Sequence, residues 1–236
     1  MGARAWGGWR GLAGVALLTT VSTGCSEAAE EKPKGSVSAT PTSEASGVTG
    51  TVARSGGTLG PADSECELPV SFDTAEDWSP KAVAAAARDT ASTGSDDSGS
   101  PEDELSDELA DALLRQGPVT LVCEIDAKPA GNIGFLRVWT GKPGADDART
   151  VLKAFVAAGT GASKATYRTF EAGGLSGTEV EYVSTSELLD ESKKESAFAV
   201  TTDDGPVVVH LGGLDTEEHK EMLPAYRLAR QTLRVG

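Results

Sequence analysis

Residues 196–213 read SAFAVTTDDGPVVVHLGG, and they decide the fold. Two runs of apolar and β-branched residues flank Asp203-Asp204-Gly205, where glycine supplies the backbone freedom that a tight hairpin demands. Because side chains alternate along a strand, His210 falls on the face opposite Val207, Val209 and Leu211. Antiparallel sheet is therefore the frame to extend in both directions.

Upstream, KATYRTFE (164–171) and TEVEYVST (178–185) flank the glycine-rich AGGLSG, and a polar connection leads on to residue 196. PVTLVCEI (118–125) and NIGFLRVWT (132–140) are separated by DAKPAG and form another hairpin, while LPVSF (68–72) is a short strand. Between the hairpins DARTVLKAFVAAG is a helix capped by Asp146, with Val151, Leu152, Phe155 and Val156 on one face and Gly159 at its end. Downstream, DTEEHKEMLPAYRLARQTLRV (215–235) is a second helix. Asp215 and Glu218 are spaced as a capping box, Met222, Tyr226, Ala229 and Leu233 share a face, and Pro224 either kinks the helix or marks its start. Ser79 with Pro80 reads as the start of a further helix in SPKAVAAAA, and Leu105, Leu109, Ala112 and Leu113 give the helical period once more. Hairpins interrupted by helices define an α+β class, an antiparallel sheet flanked by helices as an αβα sandwich, over residues 65–236.

The N-terminal third has a different character. Arg4 and Arg10 precede an uncharged stretch from Gly11 to Val21, about half the length a membrane-spanning helix needs, and Ser22, Thr23 and Gly24 lead to Cys25. The arrangement resembles the lipobox of bacterial lipoproteins, although Ser22 stands where leucine is usual. The resemblance implies a signal peptide over 1–24, cleaved before a lipid-bearing Cys25, and an address on the outer face of the cytoplasmic membrane. An ordinary secretory signal, leaving Cys25 a thiol, is the alternative. Residues 25–64 include SVSATPTSEASGVTGTVARSGG and lack aromatic residues after the cysteine, so they read as a flexible tether. A coil of about 40 residues reaches about 35 Å. With Cys25 acylated, Cys66 and Cys123 remain an even pair suited to a disulfide in an exported protein, two buried thiols being the other reading.

Acidic residues outnumber basic ones 36 to 21. That excess repels nucleic acid and other polyanions. It is densest in an insert at about 89–104 and just beyond, where eight carboxylates lie from Asp96 to Asp111. Counted as a calcium loop from Asp96, the insert offers Pro101 where glycine belongs and Asp107 where the bidentate glutamate belongs, so it is read as solvated chain without metal. Any partner it holds is a basic protein.

No reaction is announced. The two histidines, His210 and His219, read as one strand-face and one helix-surface imidazole. Ser176 in GGLSGTE nearly spells a nucleophile elbow, with Thr178 in place of the last glycine, and TGKPG (140–144) nearly spells a phosphate loop; both are read as turns. Arg227, Arg230 and Arg234 suit the negative end of the last helix, and Trp78 and Trp139 are placed in the core or at strand ends.

LPVSFDTAEDW, the helix between hairpins and FAVTTDDGPVVVHLGG followed by PAYRLARQTLRV together resemble the PsbP-like fold of actinobacterial LpqN-type lipoproteins, over residues 66–235. That resemblance implies a non-enzymatic adaptor or binding domain, supplies no catalytic residue set and calls for no cofactor. The expected function is an anchored, extracytoplasmic module that binds a partner protein or an envelope component. The alternatives are an envelope hydrolase using Ser176 with a histidine, and a small-ligand receptor. For an importer's receptor, which takes two lobes, about 170 residues is small.

Overall fold

A computed structural model describes residues 50–83 and 114–236. Cys25, the proposed signal, most of the tether and the acidic insert lie outside the described residues. In chain order the elements are β1 (Ser55–Leu59), β2 (Val70–Ala75), β3 (Ser79–Ala82), β4 (Arg115–Gln116), β5 (Val119–Asp126), β6 (Gly134–Thr140), α1 (Ala148–Ala158), β7 (Ala162–Ala172), β8 (Leu175–Ser186), β9 (Glu191–Thr202), β10 (Gly205–Gly213), α2 (Thr216–Gln231) and β11 (Arg234–Val235). A large antiparallel sheet runs β3-β5-β6-β10-β9-β8-β7, with β4 also against β5, and a small sheet runs β1-β2-β11.

Strand β10 sits in the middle of the large sheet with both faces covered, which is why its sequence is apolar almost throughout. On one face, Val208, Ala197, Ala199 and Val180 meet Val151, Leu152, Phe155 and Val156 of α1. On the other, Val207, Val209, Leu211, Phe198 and Val200 meet Met222, Tyr226 and Ala229 of α2 together with Val70 and Phe72 of the small sheet. Helices on both faces of an antiparallel sheet make the expected α+β sandwich.

The hairpins form where the sequence places them: Val209 pairs with Phe198, Leu136 with Ile125, and Tyr167 with Val180. The differences are local. Ser79–Ala82 is a strand rather than the start of a helix, its residues opposite Asp126, Ile125, Glu124 and Cys123 of β5. Proline fits there because β3 borders only β5, so its missing N–H costs no second ladder; helical geometry begins only at Val83. Ordered chain also starts before residue 65, since Ser55–Leu59 pairs with β2. The stretch read as a polar connection is the first half of β9, Ser192 facing Thr185 and Lys194 facing Val183. Asp147, not Asp146, caps α1, accepting from the Thr150 N–H at 2.7 Å. Asp215 caps α2 through the Glu217 and Glu218 N–H groups, but Glu218 turns away from the box to accept from the Ile133 N–H at 3.1 Å. Pro224 lies inside α2, and its carbonyl accepts from the Ala53 N–H at 3.1 Å, which ties the incoming chain to the helix.

Cys66 and Cys123 form a disulfide with Cα atoms 6.0 Å apart, joining the loop between β1 and β2 to β5 in the large sheet. Trp78 and Trp139 are both buried, as expected.

Candidate functional site

The two histidines fall on opposite faces of the sheet. His210, on β10, points toward α1 among the rings of Trp139, Phe155 and Tyr182. Its Nε2 lies 3.1 Å from Glu195 Oε2 on β9 and 3.1 Å from the Tyr182 hydroxyl on β8, and that hydroxyl donates to the same carboxylate oxygen at 2.8 Å. Lys193 Nζ reaches the second oxygen at 3.3 Å and donates to the Gly213 carbonyl at 2.7 Å. Burial works to raise the Glu195 pKa, but the His210 hydrogen bond and charge, the Tyr182 hydrogen bond and Lys193 together hold it at about 2. Burial, then the Glu195 charge, push the Tyr182 phenol well above its ordinary value. Each charge is thus answered inside the sheet.

His219 is not a helix-surface imidazole. It is 1% exposed, facing the sheet from the first turns of α2, and its Nε2 lies 3.1 Å from Ser196 Oγ. Its place three residues before Met222 puts it on the buried helix face, a periodicity visible in the sequence. Burial, followed by the His210 charge, lowers its pKa from 6.5 to about 4. Ser196 and His219 have the spacing of a nucleophile and base, yet Nδ1 is buried without a partner, so no third group orients the ring as a triad requires. Ser196 itself is only 5% exposed.

Ser176 is not brought to either histidine. It is exposed near the start of β8, paired with Glu171, whereas His210 is in register with Ala197 and through it with Val180. Four residues along a strand separate Ser176 from that row, about 13 Å. In the TGKPG loop, Lys142 and Gly144 border a cavity of about 60 Å³ beside Gly205 and Pro206, the room of about two waters. Arg230 lies in the last turn of α2, as expected of a cation at the negative end of the helix, and it is 5% exposed, ion-paired with Glu179 and over the Phe170 ring at 5.4 Å. It fastens α2 to β8.

A larger cavity, of about 260 Å³, opens between the chain entering β1, the turn from β2 to β3, and α2. Trp78 and Met222 are its buried apolar part. Around them stand the carboxylates of Glu76, Asp77 and Glu221, the Asn132 amide, and Arg54, which pairs with Glu76 at 2.6 Å. Asp77 has a left-handed backbone, φ 64°, uncommon for a residue other than glycine. Sequence reading placed Trp78 in the core correctly but had no signal for the cavity, whose walls are up to 172 residues apart from Ala53 to Ala225. Among the described residues, no cluster of His, Cys, Asp and Glu fits a metal ion.

A three-layer domain with a closed polar core and, among the described residues, an open cavity beside Trp78 is the class these features define. The chain belongs to the Lipoprotein_23 family, described as uncharacterised lipoprotein, whose model matches residues 36–233. No curated protein matches it. Membership fits a protein held at a membrane by lipid, and among the described residues no helix is long and apolar enough to cross one.

Proposed function

We propose that this chain is an extracytoplasmic lipoprotein, anchored by a lipid on Cys25, whose domain binds an envelope component without catalysis. The observation that carries the reading is the closure of its reactive-looking groups. Tyr182, Glu195 and His210 satisfy one another, Ser196 and His219 are shut in the opposite core, and Ser176 stands apart from both. The open cavity at Trp78 is the place for a ligand. Membership in a lipoprotein family and the resemblance to LpqN-type domains support the same reading.

Two measurements test it. The native protein is expected in the detergent phase and Cys25→Ala in the aqueous phase; equal partitioning defeats the anchor. A fluorophosphonate probe is expected to leave the folded protein unlabelled, and labelling at Ser176 would replace binding with hydrolysis.

A further inference from the structure

Among the described residues five large apolar side chains stand exposed: Ile133, Leu188, Leu189, Leu214 and Val235. Scattered singly, such residues are ordinary surface. Here four of the five share one end of the large sheet. Strand β10 finishes there at Gly213, opposite Gly134 at the start of β6, and the Leu214 N–H donates to the Ile133 carbonyl at 3.0 Å. Strands β8 and β9 meet at the same end, where Ser186 faces Glu191 and the chain turns through Leu188 and Leu189. Val235 lies apart on β11, whose Arg234 passes Gly173 in the β7–β8 turn at the opposite end.

The domain does not cover the two leucines at the turn. Leu188 is 93% exposed and Leu189 66%, yet the turn is built: the Leu189 N–H donates to Ser186 Oγ at 3.3 Å, and Asp190 takes a left-handed backbone, φ 52°. The hairpin also projects. With Leu211 opposite Ser196, Gly213 falls in the row of Lys194, and Glu191 lies three residues farther out, about 10 Å. Leu214 and Ile133 thus form a shoulder behind the tip.

Membership in a lipoprotein family supplies the surface that these side chains meet, because a domain fastened through Cys25 is never far from a bilayer. Residues 26–49 span at most about 80 Å. Strands β8 and β9, of 12 residues each, are about 40 Å long, so either end of the sheet can reach the membrane, and apolar exposure selects this one. Interfacial elements sink about 5–10 Å into the headgroup region, which matches the projection of the tip beyond its shoulder. Exposed Glu187, Asp190 and Glu191 flank the leucines, while Lys193 and Lys194 are taken up by Glu195 and Glu181. The contact is therefore apolar in origin, and anionic headgroups oppose it.

We propose that the β8–β9 hairpin tip, through Leu188 and Leu189, seats this domain in the surface of the bilayer that carries its anchor, with Leu214 and Ile133 meeting the headgroups behind it. Two leucines alone hold a membrane weakly. Anchoring makes their contact intramolecular, which is enough to fix the way the domain faces and turns the β7–β8 end away from the membrane. The inference rests on the anchored reading above and adds an orientation to it.

The acylated full chain is reconstituted into phosphatidylcholine vesicles with and without a lipid-borne nitroxide. Leu188→Cys and Ser176→Cys each supply one free thiol for the same environment-sensitive fluorophore, since Cys66 and Cys123 are bridged and Cys25 is acylated. Flotation with the vesicles checks anchoring, and circular dichroism checks the fold. The nitroxide is expected to quench the label of Leu188→Cys several-fold more than that of Ser176→Cys, and adding Leu189→Ser to reduce the quenching. Equal quenching at the two positions overturns the proposal, as does unchanged quenching with Leu189→Ser. Absence of quenching at the tip of a floating protein also overturns it, and points to a protein partner for these leucines. Quenching that requires phosphatidylglycerol in the vesicles replaces the apolar contact with a charged one. A protein that fails to float loses anchor and seating together, whereas one that floats unquenched loses only the seating.

Discussion

His219 shows how one buried side chain makes a whole domain sensitive to pH. Its folded pKa, about 4, lies below the 6.5 of the unfolded chain. Between those values the unfolded state binds the extra proton, so stability falls as pH drops from 6.5 to 4. The shift corresponds to about 3 kcal/mol at most, from about 1.4 kcal/mol per pH unit. The charges bearing on the ring are those of His210, Glu181, Glu195 and Lys194, of which the histidine and lysine oppose protonation and the carboxylates favour it. Glu195 acts in a lower window: held at about 2 against 4.5, it stabilises above 4.5 and loses that contribution as pH falls toward 2. Urea unfolding at pH 7, 5 and 4 is expected to show the first decline in the native protein and a much flatter profile in His219→Gln. An equal decline in both would assign the sensitivity elsewhere. The spacing of His219 from Met222 and Tyr226 places it on the buried helix face, a signal that the expectation of a helix-surface imidazole passed over. Glu195 was not visible in the same way, because a glutamate among lysines and serines reads as a solvated connection until β9 is known to begin at Glu191.

At the scale of the element, hairpins were the most legible features. Two runs of alternating residues around a glycine turn leave few other pairings, and register follows from which face is buried. The misread segment, Ser79–Ala82, carries a strong local helix signal that pairing with β5 overrides. Tertiary partners decide such short stretches, and those partners lie more than forty residues away in the chain. The β7–β8 turn gives a sharp test of local chemistry. Gly173 and Gly174 both have positive φ, 54° and 82°. A Cβ on Gly173 would lie 2.1 Å from the Leu233 carbonyl oxygen, whereas one on Gly174 meets nothing within 4 Å. Gly174→Asn is therefore expected to cost little, asparagine tolerating the left-handed region, and Gly173→Ala to cost well over 1 kcal/mol, since the obstacle is backbone. Chemical denaturation of the two variants checks the order; equal costs would show that the C-terminal segment moves aside freely.

For the whole molecule, α+β class and helix-covered sheet followed from the order of elements. The cavity did not, because its walls come from four separate parts of the chain and no local pattern records that they meet. The disulfide belongs to this scale as well. Its ends are 57 residues apart, and in the loop-entropy account a closed loop of that length contributes about 4 kcal/mol. Reduction is expected to lower the urea midpoint by a corresponding amount while leaving the sheet spectrum of the native state unchanged. Loss of the folded spectrum on reduction alone would mean the two sheets do not hold together without it.

That same bridge changes what a broken chain would be. Cys66 lies before the long acidic segment and Cys123 after it, so the two pieces made by cutting any peptide bond between them remain one covalent molecule. A cut inside the acidic segment would leave the piece containing Cys25 still joined to β5 through β10 and α2. The nick would appear on a denaturing gel only after reduction, and an anchored domain would stay anchored through its own disulfide.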